Sequence, residues 1–275
     1  MPAPDIVGTP EQAAALKRPP LLVLERGARR TWAGRPRRSP RSSLPPVTLV
    51  LWDIDGTLVD TAGHGRDAFG EAFFAVFGRD ADVGAVAMSG RTDHAIALAV
   101  LESAGVEQGD SHLEPMFAAL ATALAGRREQ IVREGRALPG THAALQALAA
   151  LPGITQSLLT GNIELNAALK LGAFGLDEYV DLDIGGYGSD HGTRSELVRV
   201  AREKARTVRG LSVSAAETVL IGDTPLDVAA AHSAGARAVA VATGPYGREA
   251  LQATGAEAVL DGLGDTDAVI GAVLG

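Results

Sequence analysis

The stretch VTLVLWDIDGTLVD, Val47 to Asp60, constrains this chain more than any other. Its apolar, β-rich start reads as a buried strand. The run ends in two aspartates one residue apart, Asp53 and Asp55, followed at once by Gly56 and Thr57. Two carboxylates at a strand end, where glycine lets the chain turn, read as a site. Close carboxylates repel, so a positive charge belongs between them, and a hard cation such as Mg²⁺ is the obvious candidate.

The 275 residues, 46% of them hydrophobic, suffice for a large α/β domain with a smaller companion. The absence of cysteine excludes disulfides, thiolate zinc sites and a cysteine nucleophile. It also fits a reducing compartment, so a cytoplasmic location is expected. No apolar run approaches the length of a membrane span, and the early run Leu21–Leu24 is too short for a signal peptide. Charge is unevenly placed: residues 1–46 carry nine Lys/Arg against three Asp/Glu, and the remainder carries 16 against 30. An acidic body argues against non-specific nucleic-acid binding by the folded part. Oligomeric state is not legible.

Residues 1–46 read as a tail. Prolines recur, arginines cluster in RGARR and RPRRSPRSS, and no apolar periodicity is sustained. The readings open for it are a polyanion-binding arm, an Arg-rich targeting segment, and a disordered extension left by an upstream start assignment. From 61 to 137 the pattern is helical. Phe69, Phe73 and Phe77 form one apolar stripe, Thr92 is placed to cap a second helix, and Ser111 with Glu114 has capping-box spacing for a third. A block of helices inserted directly after such a strand reads as a cap. Beyond Pro139–Gly140 helices and strands alternate: ITQSLLT ends at Thr160, TVLIG runs up to Asp223, and YVDLDI is a candidate short strand. The expected architecture is a doubly wound parallel sheet of 47–60 and 138–275, helices on both faces, with an inserted helical cap over 61–137. In such sheets ligands sit beyond the carboxyl ends of the strands, where Asp53, Thr160 and Asp223 all fall.

Several alternatives fail on spacing. An EF-hand wants its glycine at the sixth position, whereas Gly56 is at the fourth from Asp53. The six histidines form no HExxH pair, no lysine completes a Walker A loop, and His191 stands where a dinucleotide fingerprint after Gly186 needs its last glycine.

The series DIDGT (53–57), LLTGN (158–162) and IGDTPLDV (221–228), in that order, resembles the haloacid dehalogenase-like superfamily of phosphohydrolases. The resemblance covers residues 47–275. It implies Mg²⁺-dependent hydrolysis of a small phosphate monoester, with Asp53 as nucleophile and Asp55 as general acid/base. It implies a metal site of Asp53, the backbone carbonyl of Asp55, and Asp223, with Asp227 behind it or as a further ligand. It implies phosphate contacts from Thr160 and from the backbone of Gly161 and Asn162 at a helix start. The family usually has a lysine between its second and last motifs. Lys170 and Lys204 both lie there, but Lys204 sits far along a helix, and Arg194 at the start of that helix is assigned the role. In the cap, Arg91 could bind a substrate carboxylate or second phosphate, against a plain reading as a solvated arginine before a helix. The expected partner is a small phosphorylated metabolite, of phosphoglycolate type by resemblance alone, without nucleic acid or membrane. A phosphomutase using the same residues, and a binding or regulatory protein on the same fold, are the alternatives.

Overall fold

The structure is a computed structural model and describes residues 47–275; the expectation of a basic tail over residues 1–46 lies outside the described residues. The described chain runs β1 (Thr48–Trp52), β2 (Val59–Asp60), α1 (His64–Phe77), α2 (Asp93–Ser103), α3 (Leu113–Gly126), α4 (Arg128–Glu134), β3 (Arg136–Ala137), α5 (Thr141–Ala150), β4 (Ile154–Thr160), α6 (Glu164–Ala173), β5 (Gly186–Tyr187), α7 (Arg194–Arg209), β6 (Thr218–Gly222), α8 (Pro225–Ser233), β7 (Arg237–Val241), α9 (Arg248–Gln252), β8 (Ala258–Leu260) and α10 (Thr266–Leu274).

Among the described residues, six parallel strands form one sheet in the order β5-β4-β1-β6-β7-β8. This is the doubly wound α/β architecture that the alternation of helix and strand requires. β1 reads as a continuous apolar run because both its faces are covered. Leu49 and Leu51 face one core, with α7 and α8; Val50 and Trp52 face the other, with α5, α6 and α10. The chain leaves β1 for β4 and β5, then crosses back to β6 on the other side of β1. A crevice opens beyond the strand ends where the winding reverses, so β1, β4 and β6 aim their last residues at one place.

Between β1 and α5, the helices α1 to α4 form a block with its own apolar core, which includes Phe69, Phe73, Leu101, Leu120 and Leu124. The two linkers to this block pair with each other: Val59 lies opposite Ala137, and Asp60 opposite Arg136. Thr92 caps α2, its hydroxyl accepting from the Ala95 N–H at 3.1 Å.

Two local expectations are corrected. YVDLDI is not a strand but a pair of 3₁₀ turns, Asp177–Tyr179 and Leu182–Ile184, and the edge strand begins only at Gly186. Asp181 accepts from the Asp183 N–H, the local side-chain bond by which aspartate competes with a ladder, and Arg209 ties both acids down. The Ser111–Glu114 capping box does not form. Ser111 lies in a 3₁₀ turn, its hydroxyl donating to the Gln108 carbonyl, and α3 starts at Leu113 without a side-chain cap.

Candidate active site

Asp53 is the first residue beyond β1, and its N–H donates to the Ile221 carbonyl at 2.8 Å, which prolongs the pairing with β6. Gly56 then turns the chain at a φ of +84°, a conformation that favours glycine. The same glycine leaves room for Asp223: a Cβ on Gly56 or on Gly244 would run into the Asp223 carboxylate. Thr57 donates its hydroxyl to Asp223 Oδ1 at 3.2 Å. The DIDGT turn thus packs directly onto the end of β6.

Asp227 begins α8. Thr224 is the N-cap: its Oγ1 accepts from the Asp227 N–H at 3.4 Å and its N–H donates to Asp227 Oδ2 at 3.0 Å, a capping box, and its hydroxyl also donates to Oδ2 at 2.7 Å. The other oxygen, Oδ1, accepts from Arg194 Nε at 2.9 Å and Nη2 at 2.5 Å. Arg194 Nη2 also lies 2.8 Å from Asp53 Oδ1. Arg194 opens α7, is 9% exposed, and bridges the end of β1 to the start of α8.

Asp53, Asp223 and Asp227 are all buried, with carboxylate oxygens within 4.8 Å of one another. Burial pushes Asp53 and Asp223 well above the usual carboxylate range. Arg194 partly offsets this at Asp53, and the neighbouring carboxylates add to it at both. One guanidinium is too little positive charge for three carboxylates. A hard, oxygen-seeking cation fits this donor set. Asp53 and Asp223 have oxygens to give it, whereas both Asp227 oxygens already accept protein hydrogen bonds.

Asp55 is set differently, with its side chain 44% exposed. Its carboxylate is gripped by Lys170 Nζ, at 2.7 Å from Oδ1 and 2.6 Å from Oδ2, and Asn162 Nδ2 donates to Oδ2 at 2.7 Å. Lys170 also donates to Asn162 Oδ1 at 2.6 Å, so the three side chains close a ring. Thr160, the last residue of β4, is fully buried. Its Oγ1 accepts from Asn162 Nδ2 at 2.8 Å and leaves its own proton to donate.

Sequence reasoning passed over Lys170 in favour of Arg194, yet the structure brings both to the site. A signal was present. Asn162, Asn166 and Lys170 recur every four residues, and Lys170 shares the buried face of α6 with Ala167 and Leu171. A lysine on an otherwise apolar face needs a partner.

The expected backbone anion site after Thr160 is also altered. The Asn162 N–H points to Thr160 Oγ1 at 3.3 Å, and the Ile163 N–H donates to Asp93 Oδ2 at 2.8 Å. Asp93, the first residue of α2, occupies the start of α6, and its own N–H donates to the Gly161 carbonyl at 2.6 Å. Burial raises the Asp93 carboxyl to about 7, with the Lys170 charge and the Ile163 N–H partly offsetting it. Gly161 is packed so closely under the Arg91 backbone that a Cβ there would meet the Arg91 carbonyl. Arg91 lines the same cleft, and its guanidinium donates to the carbonyls of Ala87 at 3.1 Å and Ala95 at 2.9 Å, two of its five N–H groups.

These groups line a cleft of about 240 Å³ between sheet and helical block. Asp53, Asp55, Thr160, Lys170 and Arg194 face it from the sheet side, and Phe69, Met88, Ile96 and Leu120 from the other. Among the described residues no helix is long and apolar enough to cross a membrane.

A model of the haloacid dehalogenase-like hydrolase family matches residues 47–235. A phosphoglycolate phosphatase of Cupriavidus necator is 30% identical over 222 residues, covering 79% of this chain and 90% of that protein. A hydrolase from Pseudomonas syringae superposes with a TM-score of 0.59 at 22% identity, covering 79% of this chain and 95% of that one. CbbY from Rhodobacter sphaeroides, in complex with phosphate, gives 0.59 at 21% identity, covering 80% and 96%. At those identities the two structures speak for the fold alone. The family match, spanning most of the chain and all three strand ends that carry Asp53, Thr160 and Asp223, makes this protein a member of the haloacid dehalogenase-like hydrolases.

Proposed function

We propose that the protein hydrolyses a small phosphate monoester through an aspartyl-phosphate on Asp53. The observation that carries this reading is the buried Asp53 held 2.8 Å from Arg194 at the floor of a cleft of about 240 Å³, with Asp55 beside it in the same cleft. The C. necator phosphoglycolate phosphatase supports a small phosphorylated acid as one substrate class to test.

Asp53 Oδ attacks phosphorus, and the bond to the ester oxygen breaks. The Asp55 carboxyl gives its proton to the departing alkoxide, which leaves as the alcohol. Asp55, now a carboxylate, takes a proton from water as that water attacks the phosphoenzyme; phosphate leaves and Asp53 is restored. Arg194 holds Asp53 and offers a guanidinium to the phosphoryl oxygens, and Thr160 offers its hydroxyl proton. Asp53, Asp223 and the Asp55 backbone carbonyl would hold Mg²⁺, with Asp227 holding Arg194 from behind. When bound, the cation supplies positive charge that keeps the buried carboxylates ionised and draws charge from the phosphoryl oxygens. The apolar side chains of the helical block, acting as a cap, exclude bulk water.

The test is hydrolysis of p-nitrophenyl phosphate with and without Mg²⁺, and with Asp53→Asn. Wild-type turnover should require Mg²⁺, and Asp53→Asn should lose at least about 10³-fold, the scale of losing an enzyme nucleophile. Equal turnover by wild type and variant would refute the reading. Phosphate release without a bisphosphate activator would separate it from a phosphomutase.

A further inference from the structure

Lys170 stands outside the roles assigned above. It is 4% exposed, two turns along α6, and its ammonium reaches both oxygens of Asp55 and Asn162 Oδ1. Buried lysines are rare, and burying this one needs partners. It has two, which offer three acceptor atoms at 2.6–2.7 Å, matching the three donors of an ammonium. Asp55 gains differently. With its side chain 44% exposed it could turn freely in the cleft mouth, but Lys170 and Asn162 fix it from one side.

We propose that Lys170 is the positioning residue for proton transfer by Asp55, and that it adapts the site to esters of unactivated alcohols. This rests on the phosphatase reading above. Alkoxides are poor leaving groups, so breaking their bond to phosphorus depends on a proton delivered in line with it. p-Nitrophenolate leaves as the anion near neutral pH and needs no proton. Misplacing an acid by about 1 Å costs on the order of 100-fold where proton transfer matters. Water attack on the phosphoenzyme also needs Asp55, this time as base, whichever ester supplied the phosphoryl group.

The experiment compares wild type with Lys170→Met on p-nitrophenyl phosphate and on a short alkyl phosphate such as glycerol 2-phosphate. Removing the lysine leaves Asp55 half open to water; buried Asp93 also loses the Lys170 charge but keeps the Ile163 N–H, so folding is checked by denaturation before kinetics, and Lys170→Gln serves if the variant does not fold. The expected result is a split. With the alkyl ester kcat/KM falls about 100-fold. With the aryl ester kcat/KM changes by less than about threefold, while kcat falls because the base step is slowed. A merely structural role for Lys170 would lower kcat/KM equally on both esters, and that outcome, or no loss on either, overturns the proposal while the phosphatase reading stands. Equal turnover by wild type and Asp53→Asn would overturn both.

Discussion

Neutralising Asp223 should stabilise the metal-free protein. Its carboxylate is 1% exposed, wedged between Gly56 and Gly244, and its neighbours are two further carboxylates and the Thr57 hydroxyl. Burial, then repulsion from Asp53 and Asp227, raises it from 3.8 to about 8. A folded-state pKa above the unfolded one means that the folded protein holds the extra proton. The stability this group contributes is therefore complete below pH 3.8, and is lost as pH rises towards 8. Each pH unit of that window is worth about 1.4 kcal/mol, a ceiling that relaxation and water entry reduce. Asp223→Asn removes the charge, keeps the volume and still accepts from Thr57. In EDTA the variant should match wild type near pH 4 and exceed it by at least about 2 kcal/mol near pH 9. Urea denaturation across that range is the assay. With Mg²⁺ at 100 times its Kd the gap should narrow by about 2.7 kcal/mol, since the ligand stabilises wild type by that amount and the variant has lost a ligand atom. A variant no more stable than wild type at pH 9 in EDTA would refute the account of a crowded, under-compensated carboxylate cluster.

Two further predictions concern the frame of the site. Gly161→Ala puts a methyl group against the Arg91 carbonyl, so the helical block must shift from the end of β4; a loss of about 1–3 kcal/mol in denaturation and a raised KM are expected. Thr224→Ala removes the N-cap of α8 and one donor to Asp227, and should cost about 0.5–2 kcal/mol, read from the shift in the urea midpoint.

The core was legible because a buried parallel strand leaves a continuous apolar run, and the residue after each run falls at the sheet edge. Asp53, Thr160 and Asp223 were found that way, and Arg194 through the resemblance. Lys170 was missed because it lies two turns from its strand end, where only the helical repeat from Asn162 brings it back to the cleft. Asp93 was missed for another reason: its partner, the Ile163 N–H, is a backbone group 70 residues away, which no pattern marks. Arg91, a cation before a helix, does reach the cleft, held there by the carbonyls of Ala87 and Ala95. The Asp181 and Asp183 turn was mistaken for a strand because alternating apolar and acidic residues imitate a half-exposed ladder.

The divided loyalty of Asp227 has a consequence for how such a protein can change over evolutionary time. One oxygen starts a helix and the other anchors the arginine beside the nucleophile. A substitution of Asp227 that loosens the arginine therefore also frays the first turn of α8, and carriers would lose folded protein along with activity. The chemistry at this corner is inherited together with the fold and reaches the helical block only through its backbone, where Arg194 Nη1 donates to the Gly90 carbonyl at 3.4 Å; the apolar side chains of that block's wall take no part in the bond network and are free to diverge.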